Sequence, residues 1–405
     1  MLSFLIGGCS IYKLPVEVAN FVQSKGNVIT SIDPQHTDFK DLESIGNAIG
    51  NRRLVLLGEA THGDGKTFLA KSRLIKYLHE QKGFDVLAFE ADFIALNQLS
   101  LSYIGLRDSL ESTTGLAAGI NPIWSATEEC HELLFNYIPQ TYRSTNPLHV
   151  VGIDPQPYGL ALGKRDSLNK LLKHLGSMAP LSLVEDIDTL ISCSLKPANE
   201  LATLDTALAS RLNRLDGNIR QLLTAARDKS GLMFQTLQNL KYFCQEVLHF
   251  SNEAHYSFRD SCMAENVKWL IDKKFAGKKI IVWSANSHIG KQPTNFRLPF
   301  TPMGKYLVDH YGEKAVYSLA VTARSGTSGV FGPTQEIESQ KEGFENAVPE
   351  NSDYAFFDFS QSSDAQEPSF FMNALGGRGV KLPWKQHFDG IFYINEMAPS
   401  TKLVK

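Results

Sequence analysis

Apolar residues along this chain follow two patterns: short unbroken runs that end in polar residues, and longer stretches with helical periodicity. The run Leu54-Val55-Leu56-Leu57 leads into Gly58-Glu59-Ala60-Thr61-His62-Gly63. Four apolar residues in succession predict a strand buried on both faces, over 54–59. Before it, residues 38–50 predict an amphipathic helix with Asp38 near its N-cap. After it, Phe68, Leu69, Leu74, Ile75 and Leu78 recur at helical spacing, which predicts a helix over about 66–81 that ends at Gly83. Residues 85–92 form a second apolar run closed by carboxylates. Strand–helix–strand with short connections is a βαβ unit, so the two strands are expected to be parallel. A helix is expected over 125–144. A third strand is expected over His149–Asp154, stopped by Pro155 and Pro157.

The pattern changes after residue 160. As far as about residue 252 the chain is leucine-rich, shows helical periodicity and carries Arg211, Arg214, Arg220 and Arg227. No strand is legible there, so the stretch predicts a helical insertion over one end of the sheet. Alternation then resumes: helix 258–275, strand 279–285, helix Met303–Tyr311 and strand 316–322. Residues 324–350 predict a long surface loop and 361–386 a second, mobile loop. The last strands are expected at 354–359 and 390–394. The expected fold class is α/β, a mostly parallel central sheet flanked by helices with an all-helical insertion or lid. Its divisions are an N-terminal extension over 1–37, the first part of the core over 38–158, the insertion over 159–257 and the second part of the core over 258–405.

A chain of 405 residues can bury one large core or two. Its 43% hydrophobic and 20% charged residues are ordinary for a soluble protein, and a net charge of −3 gives no reason to expect nucleic acid or anionic lipid as a partner. No run approaches the ~20 apolar residues that span a bilayer, so no transmembrane segment is expected. Five cysteines (Cys9, Cys130, Cys193, Cys244 and Cys262) are odd in number and form no C-x-x-C pair. They argue against a disulfide framework and a cysteine–zinc site, and they fit a reducing, cytoplasmic location. The first nine residues, ending at Cys9, resemble the end of a bacterial lipoprotein signal. They lack a basic n-region, and their apolar run is shorter than the ~7–15 residues of a signal peptide. If Cys9 belongs to such a signal, the alternative is a lipid-anchored or exported protein. No oligomeric state is legible.

Several polar groups stand at the ends of separate predicted strands: Glu59 with His62, Glu90 with Asp92, Asp154, and Asn286 with His288. In a parallel sheet those ends share one edge, and neighbouring strands lie only ~5 Å apart, so residues distant in sequence can meet in one pocket. Imidazole titrates near neutrality, which makes His62 the candidate general base. Either Glu59 or Glu90 can orient it. Without a G-x-S-x-G elbow, water is the simplest nucleophile. Taken singly, Asp92 also fits an N-cap, Asp154 a turn, and Arg259-Asp260 an exposed helix pair. Phe93, Trp124, Phe250, Tyr256 and Phe258 are candidate pocket walls, with the insertion and the 324–350 loop as lid.

Ordered blocks then resemble one family. Gly58-Glu59-Ala60-Thr61-His62-Gly63, Arg73-Leu74-Ile75-Lys76-Tyr77-Leu78, and Gly83-Phe84 leading into Phe89-Glu90-Ala91 resemble the erythromycin esterase family. So do Gly152-Ile153-Asp154, Arg259-Asp260 with Met263-Ala264, Asn286-Ser287-His288 and Pro302-Met303-Gly304. The resemblance implies an α/β fold with a helical insertion and hydrolysis of a macrolide lactone ester, conferring antibiotic resistance. By position it implies His62 as the base, Glu59 and Glu90 as acidic site residues, His288 as a second site histidine, and Arg73 and Arg259 as basic groups near the carbonyl. Lys66, Asp92, Asn286 and Arg259 are the candidate substrate-binding residues. No cofactor is expected, and the partner is a small-molecule ester or lactone. The chain departs from the family pattern at Ala285, where many members carry a histidine, and at Lys66, near where many carry a glutamate. Two other readings stand beside this one. Glu59, His62, Glu90 and His288 suit zinc or manganese, which would make a metal-dependent hydrolase of another bulky ester or natural product. The departures would also fit a non-catalytic binding protein.

Overall fold

A computed structural model describes residues 13–97, 119–161, 181–250, 254–295, 299–362 and 368–404. The central sheet contains β1 (Asn27–Ile29), β2 (Leu54–Leu57), β3 (Phe84–Asp92), β4 (His149–Asp154), β5 (Lys279–Trp283), β6 (Val316–Ser328), β7 (Gln335–Glu338), β8 (Tyr354–Asp358) and β11 (Gly390–Met397). Its order is β1-β8-β11-β6-β2-β5-β3-β4, with β7 paired to β6. The run from β11 to β4 is parallel throughout, whereas β1, β7 and β8 pair antiparallel at the margin. A separate hairpin joins β9 (Phe370–Leu375) to β10 (Arg378–Leu382).

The apolar runs are unbroken because both faces of the sheet are covered. Val55 and Leu57 point into one core with Phe68, Leu74 and Leu78 of the helix Gly65–Lys82. Leu54 and Leu56 point into the other, with Met263 and Val267 of the helix His255–Trp269 and Leu307 of the helix Met303–Tyr311. The chain leaves β2 for β3 and leaves β5 for β6, so the two crossovers run in opposite directions. The adjacent carboxyl ends of β2 and β5 therefore open a crevice at a topological switch point. Backbone hydrogen bonds fix the loops that follow: Ser284 N–H donates to Leu57 O at 3.1 Å and Asn286 N–H to Glu59 O at 2.8 Å.

Within the expected insertion the described elements are helices: Leu181–Cys193, Ala198–Leu201, Thr206–Ala225 and Leu232–Leu248. Ile187, Leu212, Leu215 and Leu240 make a third core, anchored to the sheet through Phe93, Ile94 and Ala95 just beyond β3. Residues 162–180 and 251–253 of the stretch lie outside the described residues, as does Cys9. The other four cysteines are buried and free. Among the described residues no helix is long and apolar enough to cross a membrane.

Both expected loops are corrected. β6 continues to Ser328 and turns back as β7, followed by the short helix Phe344–Ala347. The 361–386 stretch holds the β9–β10 hairpin and the helix Trp384–His387. Gly376 and Gly377, with φ of 67° and 64°, form a two-residue turn of the kind that requires left-handed backbone at both positions. The helix expected over 125–144 is continuous from Glu128 to Thr141, with a π-helical middle over Glu132–Tyr137, and a separate short helix Pro122–Ser125 precedes it.

Candidate active site

The turn after β2 places the first two groups. Asp64 staples it, accepting from Thr61 N–H at 2.9 Å and bonding the Thr61 hydroxyl at 2.7 Å. Gly58 and Gly63 are needed for close approach. A Cβ on Gly58 would lie 1.9 Å from Asn286 Oδ1, and one on Gly63 would lie 2.5 Å from the backbone of Gly329. The result is a fixed geometry in which His62 Nδ1 donates to Glu59 Oε1 at 2.9 Å. Glu59 is fully buried and saturated: Trp124 Nε1–H donates to Oε1 at 3.0 Å and Lys71 Nζ to Oε2 at 2.8 Å. The same lysine reaches Ser284 O at 3.3 Å and lies 4.1 Å from the centre of the Trp283 ring.

Because Nδ1 is committed to a carboxylate, neutral His62 carries its lone pair on Nε2. The His62 side chain is 41% exposed and lines a cavity of about 180 Å³ with Glu90, Asp154, Gln156, Trp124, Tyr158 and Arg259. The Trp124 ring meets the imidazole edge-on, centroids 5.3 Å apart. Burial lowers the basicity of His62, but the Glu59 hydrogen bond and the charges of Glu90 and Glu59 outweigh it, so the pKa lies above the ordinary value.

The far wall is an ion network. Glu90 Oε2 accepts from the Ser284 hydroxyl at 2.6 Å and from Ala285 N–H at 3.0 Å. Its Oε1 lies 3.2 Å from Arg259 Nη2 and 3.2 Å from His288 Nε2. Arg259 also grips Asp154, with Nη2–Oδ2 at 2.5 Å and Nε–Oδ1 at 3.2 Å. His288 Nδ1 donates to Asp260, which is fully buried and accepts from Met303 N–H at 2.7 Å. Burial disfavours the charged imidazole, yet two flanking carboxylates raise the His288 pKa to about 10, so it is a cation at neutral pH. Burial likewise opposes ionisation of Glu90, but His288 and Arg259 hold it well below the ordinary carboxylate value.

The structure thus gathers Glu59, His62, Glu90, His288 and Arg259, and it separates other candidates from them. Arg73 is corrected: it is buried away from the cavity, holding Asp41 bidentately at 2.7 and 2.9 Å and the carbonyls of Ser31 and Asp38. Its helical position turns it towards the 31–41 segment. Asn286 is corrected as well. Its amide donates to Val321 O and Ala374 O, both at 2.7 Å, and its Oδ1 accepts from Val321 N–H at 3.2 Å, so no amide group remains for a ligand. Asp92 lines the cavity, but its oxygens accept from the backbone N–H groups of Ile94, Ala95 and Leu160. Lys66 is half-buried and is not among the described residues lining the cavity. Of the expected wall aromatics only Trp124 lines it. Phe93 is core, Phe250 stacks on His255, Phe258 packs against Tyr242, and Tyr256 faces solvent. The segment after β6 buttresses the His62 turn instead of walling the cavity, through Gly329 N–H to Gly63 O at 3.2 Å.

Three groups escaped the sequence reading. Lys71 carries a signal: it shares one helix face with Phe68, Ile75 and Leu78, where a charge is misplaced unless it is paired. Asp260 belongs to the buried network and not to an exposed pair. The Ser284 hydroxyl on Glu90 had no signal. Among the described residues, no group of three or more His, Cys, Asp and Glu side chains is arranged to hold a metal ion.

Residues 79–396 match the family model described as erythromycin esterase. Bacillus subtilis (strain 168) YbfO is 26% identical, over 91% of this chain and 89% of its own. Erythromycin esterase type I of Escherichia coli is also 26% identical, over 71% of this chain and 74% of its own. Among solved structures, a succinoglycan biosynthesis protein superposes with a TM-score of 0.78 at 20% identity, covering 95% of this chain and 98% of that one. A mutant of the erythromycin esterase EreC in its open conformation gives 0.69 at 19% identity, covering 94% and 99%. These two show a shared fold.

Proposed function

Since the chain belongs to the erythromycin esterase family, we propose that it is a hydrolase that opens a lactone or other bulky ester with water activated by His62, macrolides being the substrate class to test first. The hydrolase class is supported by the family and by the names of the erythromycin esterase relatives. The observation that carries the mechanism is the Glu59–His62 pair, whose imidazole lines the same cavity as the Arg259 guanidinium.

In this reading His62 Nε2 takes a proton from water as the water oxygen attacks the acyl carbon. Glu59 holds the tautomer and stabilises the imidazolium that forms. Arg259 lines the cavity and has no partner on Nη1 among the described residues, so it can donate to the developing oxyanion. When the acyl–oxygen bond breaks, the imidazolium returns its proton to the alkoxide. The products are an acid and an alcohol, together heavier than the substrate by one water. We propose a metal-independent reaction, because Lys71, Trp124, Ser284, Arg259 and Asp260 already occupy the acids and imidazoles that would serve as ligands.

The test is to incubate pure protein with erythromycin and a panel of other lactones and esters, with and without chelator, and follow mass. The expected outcome is a gain of one water, undiminished by chelator, and a loss of roughly 10²–10⁴-fold in rate for His62→Ala. If no ester in the panel is opened, the hydrolase reading fails. If chelator stops turnover and a divalent ion restores it, the metal-free mechanism fails. Equal rates for His62→Ala and wild type remove His62 from the chemistry.

A further inference from the structure

Two imidazoles at this site face carboxylates, yet they are built differently. His288 lies between Glu90, which also meets Arg259, and Asp260, which also accepts from the Met303 N–H, and it is held as a cation. His62 faces Glu59, whose second oxygen is taken by Lys71 and whose first oxygen is shared with Trp124. A base must shed its proton in every cycle. A bare buried carboxylate beside an imidazole would keep it protonated, because the ion pair is worth most in a low-dielectric site.

We infer that Lys71 and Trp124 are positioning residues that keep His62 releasable, by neutralising and sharing the carboxylate that orients it. Lys71 is 2% exposed and its ammonium is 2.8 Å from Glu59 Oε2, so the pair is close to neutral as seen from His62. The indole N–H competes with Nδ1–H for a single oxygen, which weakens each bond. The same two contacts aim Glu59: one oxygen is fixed towards the helix Gly65–Lys82 and the other towards His62, so Nε2 points at the cavity. The remaining groups around the trio are accounted for. Glu90 from β3 raises the His62 pKa and the His288 cation beyond β5 lowers it. Asp64 on the same turn is engaged by Thr61. Burial pushes the Cys130 thiol, near Lys71, well above its ordinary value, which keeps it neutral. Neither Glu90 nor His288 touches Glu59 among the described residues, so the direct control lies with Lys71 and Trp124.

This inference rests on His62 acting as base, but its test reads the proton directly and needs no substrate. The His62 imidazole is titrated by NMR in wild type, Trp124→Phe and Lys71→Met. Removing either donor leaves Glu59 a stronger partner for the imidazolium. The midpoint is expected to move to higher pH in Trp124→Phe and further in Lys71→Met. On an active substrate, the acidic limb of kcat/KM moves the same way, and the rate at pH 6 falls by roughly threefold or more relative to each variant's own plateau. A purely packing role would lower the plateau and leave the midpoint where it is. Midpoints unmoved or lowered in Trp124→Phe overturn the inference, and that variant keeps the test decisive if Lys71→Met, which strands a buried carboxylate, does not fold. If the midpoints move but no ester is opened, the proton control stands and the esterase reading falls.

Discussion

At the residue scale the decisive contact is the single hydrogen bond between Glu59 and His62. It fixes which nitrogen is basic and raises the pH at which that nitrogen becomes free. The sign follows directly. The base works only when unprotonated, and its pKa lies above the ordinary imidazole value, so activity should rise with pH through a midpoint above about 6.5. A pH–rate profile of kcat/KM on any substrate the enzyme opens checks this. A limb centred below that value would mean that burial outweighs the acids. Glu59, His62, Glu90 and His288 were all legible in the sequence, because each sits just past the end of an apolar run that predicts a buried strand. Arg73 misled because a buried arginine on a helix looks the same in sequence whether it faces a pocket or, as here, the carboxylate of Asp41.

At the element scale, the turn after β5 is pinned by Asn286, whose amide bridges β6 and β9. It touches Gly58 closely enough that the loops after β2 and β5 form one interlocked unit. Asn286→Ala would leave two buried carbonyls and one buried N–H without this partner, each costing about 1–3 kcal/mol. A drop in thermal stability is expected, together with loss of turnover carried by kcat, because His288 lies two residues further on. Gly58→Ala should act in the same direction by pushing that amide out of place. Unchanged melting together with a raised KM would instead make Asn286 a ligand contact. The parallel strands were legible as unbroken apolar runs and the main helices from their period, whereas β1, in the stretch read as an N-terminal extension, was not. The β6–β7 and β9–β10 hairpins were not, because their sequences hold no long apolar run and are punctuated by glycine, which reads as loop until pairing partners are known. Gly376-Gly377 was nevertheless a hairpin signal.

At the scale of the whole molecule, the insertion divides the sheet in sequence, and the site stitches it together. Glu90 and Asp154 come from strands before the helical insertion, whereas Arg259, Asp260 and His288 come after it. The helical layer has its own core and adds little to the described lining of the cavity, so the two parts of the sheet are joined by strand pairing, by their shared hydrophobic core and by this buried ion network. Removing one member of such a network is costly because it strands its partners, about 3–5 kcal/mol for a buried pair. That cost should depend on pH in a particular direction. His288 has a folded-state pKa of about 10, above the ordinary 6.5. Its contribution is therefore complete below about pH 6.5 and is lost as pH rises through about 10. The difference in melting temperature between wild type and His288→Gln should be largest near pH 6 and shrink steadily towards pH 10, above which wild type also holds an uncharged side chain between Asp260 and Glu90. A difference that stays constant from pH 6 to 10 would mean that His288 packs as a neutral ring and that its charge adds nothing to the network.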